Sequence, residues 1–156
     1  MDRYKDEYKN LQAVLNDQMR NVKRVIIMDI ERTHARHTSQ ETKNKMFRIL
    51  YSYAKRNMDT GYCQGINFIV YYLLELGFAE ERVFWMLVFI VENLVPKGYY
   101  STMVPLIADI RLFKYILHVK YPLLAQHFHE LNIDLNFFLI PWFIMIFTNL
   151  KNLYVS

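Results

Sequence analysis

Only four glycines and four prolines punctuate this 156-residue chain. That is too few for the many tight turns of a sandwich or barrel, so long helices with short connections are expected and the fold class reads as all-α. Hydrophobic residues make up 53% and aromatics 16% of the chain, enough apolar surface for one domain over residues 1–156 with one sizeable core.

Periodicity places the helices. Tyr4, Tyr8, Leu11, Leu15 and Val22 recur near i, i+4, i+7 and predict an amphipathic helix over residues 3–22. A short helix is expected from Val25 to Glu31, then a connection over 33–38. Thr38-Ser39-Gln40-Glu41 matches a capping box, opening a helix to about Asn57 that buries Met46, Ile49, Leu50 and Tyr53. Asp59-Thr60-Gly61 is read as a cap for a helix starting near Tyr62 and reaching Gly77. Helices over about 80–94 and 103–118 are apolar around much of their circumference and are expected to be the central packing. Phe84, Trp85, Leu87, Phe89 and Ile90 line the first of them. Pro122 suits the first position of a further helix, and the run Phe137–Phe147, with Pro141 inside, reads as a buried last helix with Trp142 and Phe143 in the core.

Several function classes lose support on the same grounds. The charged start Met1-Asp2-Arg3-Tyr4-Lys5 is unlike a signal peptide, and the longest apolar run is well short of the roughly 20 residues that span a bilayer. No transmembrane segment is therefore expected. Cys63 is the single cysteine and reads as a small buried hydrophobe, in keeping with a reducing compartment. The net charge of +4 is concentrated in the first sixty residues, without a run of like charges or a nucleic-acid motif, so no nucleic-acid partner is expected. His34 and His37 lack further nearby ligands, His127 and His129 lie on different helix faces, and no metal site is expected. Nor does the sequence contain a Walker-type glycine-rich phosphate loop or a nucleophile with its base, so no cofactor site of its own is expected.

Two stretches carry the functional reading. In Ile26-Ile27-Met28-Asp29-Ile30-Glu31-Arg32, helical geometry stacks Ile26 on Ile30 and puts Asp29 and Arg32 at i and i+3, where the carboxylate can orient the guanidinium. An ordinary surface ion pair is the competing reading, worth about 0.2–1 kcal/mol. In Tyr62-Cys63-Gln64-Gly65, Gln64 is expected in a helix's first turn, reaching outward beside a glycine that permits close approach, although it could equally serve only as a cap.

Together, I-x-x-D-x-x-R and Y-x-Q-G resemble the paired signature of the TBC domain, the activator module for Rab-family small GTPases. Thr33, the Ile66-Asn67-Phe68 that follows Gly65, and Phe138-Leu139-Ile140-Pro141-Trp142-Phe143 extend the likeness over most of the chain. The resemblance implies a multi-helix all-α Rab-GAP fold and two catalytic fingers, Arg32 and Gln64, supplied in trans. Asp29 would support Arg32, with Tyr62, Gly65 and Asn67 as scaffold around Gln64. It implies that GTP and Mg2+ are carried by a partner Rab-family GTPase, so that the chain is an activator and not an enzyme in its own right. A cytoplasmic place in vesicle trafficking follows, with peripheral recruitment to endomembranes left open. The sequence departs from the family pattern: an earlier arginine-and-tryptophan motif is lacking, since Trp85 and Trp142 come late, and the outermost N- and C-terminal parts of the domain are expected to be missing. Two other readings remain, a catalytically silent Rab-binding module and an unrelated helical scaffold.

Overall fold

A computed structural model describes residues 3–13, 19–33, 38–148 and 150. Among them are eight α-helices and no strand, in agreement with the all-α expectation. Leu15, His34, Arg36 and His37 lie outside the described residues. The chain divides into two compact units, Met1–Val95 and Pro96–Ser156.

The first unit is built around one helix. Its elements are α1 (Arg3–Ala13), α2 (Arg20–Arg32), α3 (Gln40–Arg56), α4 (Ile66–Glu75) and α5 (Glu80–Phe89), the last running on into a π-helical turn at Ile90–Leu94. α3 packs against α1, α2, α4 and α5. Met46, Ile49, Leu50 and Tyr53 form its buried stripe as the i, i+3, i+4, i+7 spacing requires, and Tyr51, Ser52 and Ala54 are buried as well because neighbours stand on several sides. Full burial of a large aliphatic or aromatic side chain stabilises by about 1.5–3 kcal/mol.

Three expectations need correction here. The helix predicted over residues 3–22 does not run through: α1 ends at Ala13, and Val22 belongs to α2, where it shares an i, i+4, i+8 stripe with Ile26 and Ile30. The cap of α3 is Ser39, not Thr38; Ser39 Oγ accepts from the Thr42 amide at 3.1 Å, and Glu41 instead pairs with Lys45 at 2.7 Å. Phe89 is exposed, whereas Val83, Phe84, Leu87 and Val88 of the same helix are buried.

α1 is fastened by polar as well as apolar contacts. Tyr8 stacks on Phe84 with ring centroids 4.5 Å apart and donates to Glu80 Oε1 at 2.7 Å. Arg48 of α3 grips the same carboxylate with Nε at 2.8 Å and Nη2 at 2.6 Å. Burial raises the Glu80 pKa, but the hydrogen bonds from Arg48 and Tyr8 outweigh it and hold the carboxyl below its usual range. α4 ends in a Schellman motif at Gly77, whose φ of 82° suits glycine.

The second unit contains α6 (Val104–Lys120), α7 (Pro122–Glu130) and α8 (Asn136–Ile144), with α6 packed against both others. Pro122 opens α7 as expected and Pro141 lies inside α8. The expected central packing of α6 and the buried last helix are not observed. α6 buries Leu106 and Ile110, α8 buries Leu139 and Ile144, Phe137 is 79% exposed, and Trp142 and Phe143 are half-buried. A helix that is apolar all round needs neighbours all round. In this unit α8 has α6 on one side. No helix among the described residues is long and apolar enough to cross a membrane.

Candidate functional site

The C-terminal turn of α2 sets the site. Ile26 and Ile30 face the core one turn apart, and Asp29 turns inward with them, only 2% exposed. The surface ion pair left open by the sequence is thus excluded for the acid, which is buried. A carboxylate in such a place must be paired and hydrogen-bonded. Arg32 Nη2 donates to its Oδ1, and the Tyr62 hydroxyl donates to its Oδ2 at 2.9 Å. Arg32 itself is the last residue of α2 and its side chain is 62% exposed. The guanidinium has five N–H donors, so the bond to Asp29 leaves others pointing away from the core.

A second chain of hydrogen bonds starts one residue on. Thr33 is fully buried; its hydroxyl donates to the Asp29 carbonyl at 2.7 Å and accepts from Asn67 Nδ2 at 2.7 Å. Asn67, also buried, accepts at Oδ1 from the Gly65 amide at 2.9 Å. The turn that ends α2 is thereby joined to the turn that opens α4. Thr33 was not singled out from the sequence as a site residue; a hydroxyl four residues after Asp29, able to bond back to its carbonyl, was the available signal.

Gln64 is exposed, but not in a helix's first turn. α4 begins at Ile66 with Gly65 as its N-cap, so Gln64 sits on the turn before it. Two features move the start. Gly65 adopts φ 111°, outside the helical region and strained for any residue with a Cβ. Upstream, the Asp59-Thr60-Gly61 stretch closes α3 instead of capping α4: Asn57 Oδ1 accepts from the Thr60 amide at 3.0 Å and its carbonyl accepts from the Gly61 amide at 2.7 Å.

Electrostatics fix the protonation of the supporting groups. Burial, and then the Asp29 charge beside it, pushes the Tyr62 pKa far up, so the phenol remains a donor. Burial and Asp29 also push the Cys63 thiol up to about 11, and Cys63 is buried as expected. It stays a thiol and not a nucleophile near neutrality. The predicted residues Asp29, Arg32, Tyr62, Gly65 and Asn67 are therefore brought into one network, with Gln64 carried on the turn it holds. The surface outcome is one fixed cation and one neutral amide, each on a braced turn.

A family model described as the Rab-GTPase-TBC domain matches residues 1–156. The chain belongs to the Rab-GTPase-TBC domain family. It is 35% identical over 130 residues to TBC1 domain family member 2B of Xenopus tropicalis, covering 80% of this chain and 14% of that protein. To TBC domain-containing protein C4G8.04 of Schizosaccharomyces pombe it is 35% identical over 129 residues, covering 80% and 17%. The chain thus spans less than a fifth of the length of these TBC relatives. Among solved structures, the Chlamydomonas flagellar RabGAP TBC domain superposes with a TM-score of 0.73 at 26% identity, covering 94% of this chain and 47% of that one. The Ypt/Rab-GAP domain of Gyp1p shares the fold at a TM-score of 0.70 and 19% identity, covering 92% and 54%.

Proposed function

We propose that this TBC-family chain is an activator of Rab-family small GTPases that supplies Arg32 and Gln64 in trans to a nucleotide held by the partner. The observation that supports it is the coupling of two exposed side chains through inner supports: Arg32 through buried Asp29 and half-buried Tyr62, and the turn of Gln64 through buried Thr33, Asn67 and Gly65. Fingers that enter another protein's active site must project from turns that do not yield, and misplacement by about 1 Å can cost about a hundredfold in rate.

The chemistry assigns each residue a role. GTP and Mg2+ arrive with the GTPase. The Arg32 guanidinium offers fixed positive charge to oxygens of the transferring phosphoryl group, and the Gln64 amide orients the attacking water, its carbonyl oxygen accepting a hydrogen bond from that water. An arginine supplied in this way accelerates GTP hydrolysis by roughly 10³–10⁵, about 4–7 kcal/mol of barrier. Asp29 aims Arg32, and its burial makes that aim independent of solvent. A function in vesicle traffic, with the chain acting from the cytoplasm on membranes that carry the GTPase, follows from this reading.

The test is capture of a transition-state complex. The chain is mixed with Rab-family GTPases loaded with GDP and aluminium fluoride, and complex formation is followed by size-exclusion chromatography. A complex that requires fluoride and is lost in both Arg32→Ala and Gln64→Ala is expected. Fluoride-independent binding unaffected by either substitution would instead indicate a silent binding module.

A further inference from the structure

Arg32 does not stand alone on its side of α2. At 3.6 residues per turn, Met28 and Val25, four and seven residues before it, fall within about 40° of its direction round the helix and about 6 and 10.5 Å from it along the axis. Both are exposed, Val25 by 45% and Met28 by 49%. Single exposed apolar side chains are ordinary. Their place beside Arg32 is what matters. A helical side chain leans back toward the N-terminus over the preceding turn, and the bond from Arg32 Nη2 to Asp29 holds the guanidinium in that posture. Met28, the residue before Asp29, is therefore its neighbour on the surface.

Positive charge borders this apolar pair. Arg24, also exposed, sits next to Val25 and one turn before Met28, so that Val25 and Met28 lie between two arginines along the helix. Both acids of α2 are engaged elsewhere: Asp29 is buried and bonded to Arg32 and Tyr62, and Glu31, about 100° round the helix from Arg32, accepts from Lys43 at 2.6 Å. The face thus presents apolar surface and cations, without an exposed carboxylate.

We propose that the Val25 and Met28 face of α2 is the part of the docking surface that selects the partner GTPase, taking an apolar side chain of that partner with a carboxylate beside it for Arg24. The proposal rests on the reading of Arg32 as a finger. A protein whose nucleotide is reached by a guanidinium lying over the Met28 turn must come against Met28 itself, and an interface of ~800 Å2 per partner spans more than the ~10.5 Å from Arg32 to Val25. Charge selects the occupant: an apolar side chain covers Val25 and Met28, a carboxylate meets Arg24, and a basic surface is repelled. Met28 is unbranched and adaptable, so related partners of slightly different shape can seat on one face. Such a contact sets affinity and partner choice, while Arg32 sets rate.

The experiment measures kcat and KM for GTP hydrolysis on a panel of Rab-family GTPases at low and high salt, together with Kd for the complexes formed with GDP and aluminium fluoride. The full chain is compared with Met28→Asp, Met28→Leu, Arg24→Glu and Arg32→Ala, each checked by circular dichroism and thermal melting. Ile27→Asp is the control, because Ile27 is 43% exposed but stands about 140° from Arg32 round α2. Met28→Asp is expected to raise Kd and KM about tenfold, more than it lowers kcat, and Met28→Leu to keep both near the native values. Arg24→Glu is expected to raise them severalfold with a shallower salt dependence, and Ile27→Asp to leave them unchanged. Arg32→Ala is expected to lose kcat instead. Kd and KM that are indifferent to Met28→Asp and Arg24→Glu, or that move equally with Ile27→Asp, would overturn the docking face and leave activation standing. Absence of both binding and acceleration by the native chain across the panel would overturn both readings.

Discussion

At the scale of single residues, the site depends on a buried acid that cannot be left short of donors. Tyr62→Phe removes one of the two side-chain bonds to the Asp29 carboxylate, and a loss of about 1–3 kcal/mol is expected in urea denaturation. Thr33→Val keeps the shape but deletes the hydroxyl between Asp29 and Asn67; a similar loss is expected, checked by the same measurement, with a fall in GTPase acceleration as the Gln64 turn loosens. Arg32 and Gln64 became candidates through the resemblance of their two motifs to the TBC signature; spacing alone leaves an ordinary ion pair and a helix cap equally open. That Asp29 would be buried could not be read from the sequence, since i and i+3 spacing allows a surface pair equally well. A buried Asp29 needs a second donor, and that donor is Tyr62, thirty-three residues away.

At the scale of elements, the sequence was legible where one principle acted alone. The buried stripe of α3 and the start of α7 at Pro122 follow from periodicity and from proline's missing donor. Where two signals competed, the boundary moved. Asp59-Thr60-Gly61 has the composition of an N-cap, yet Asn57 uses that stretch to finish α3, and the positive φ of Gly65 sets the start of α4. Gly65→Ala is accordingly expected to cost about 1–3 kcal/mol and displace Gln64, measured as lower thermal stability with reduced acceleration. The clasp of α1, α3 and α5 predicts a pH dependence. Glu80 has a folded pKa below its unfolded value, so its contribution is present above the ordinary carboxylate range and is lost as pH falls through the lowered folded value. Melting temperatures across the acid range should fall less steeply in Glu80→Gln than in the native chain.

At the scale of the whole molecule, an all-α fold was legible from the scarcity of glycine and proline, but the depth of burial in the second unit was not. Apolar composition says that a helix can be buried, and only its neighbours decide whether it is. Exposed Leu123, Phe137 and Phe138 are expected to drive concentration-dependent self-association, which Phe137→Glu should reduce in sedimentation velocity experiments. The function proposed for the molecule joins residues far apart in the chain, and its central claim is that Arg32 and Gln64 act together on a partner's nucleotide. Single-turnover GTP hydrolysis on a panel of Rab-family GTPases, with the native chain, Arg32→Ala and Gln64→Ala side by side, tests this most directly. Acceleration of at least one GTPase, cut by about 10³ or more in each variant, is the result expected. Acceleration that survives both substitutions would contradict the account.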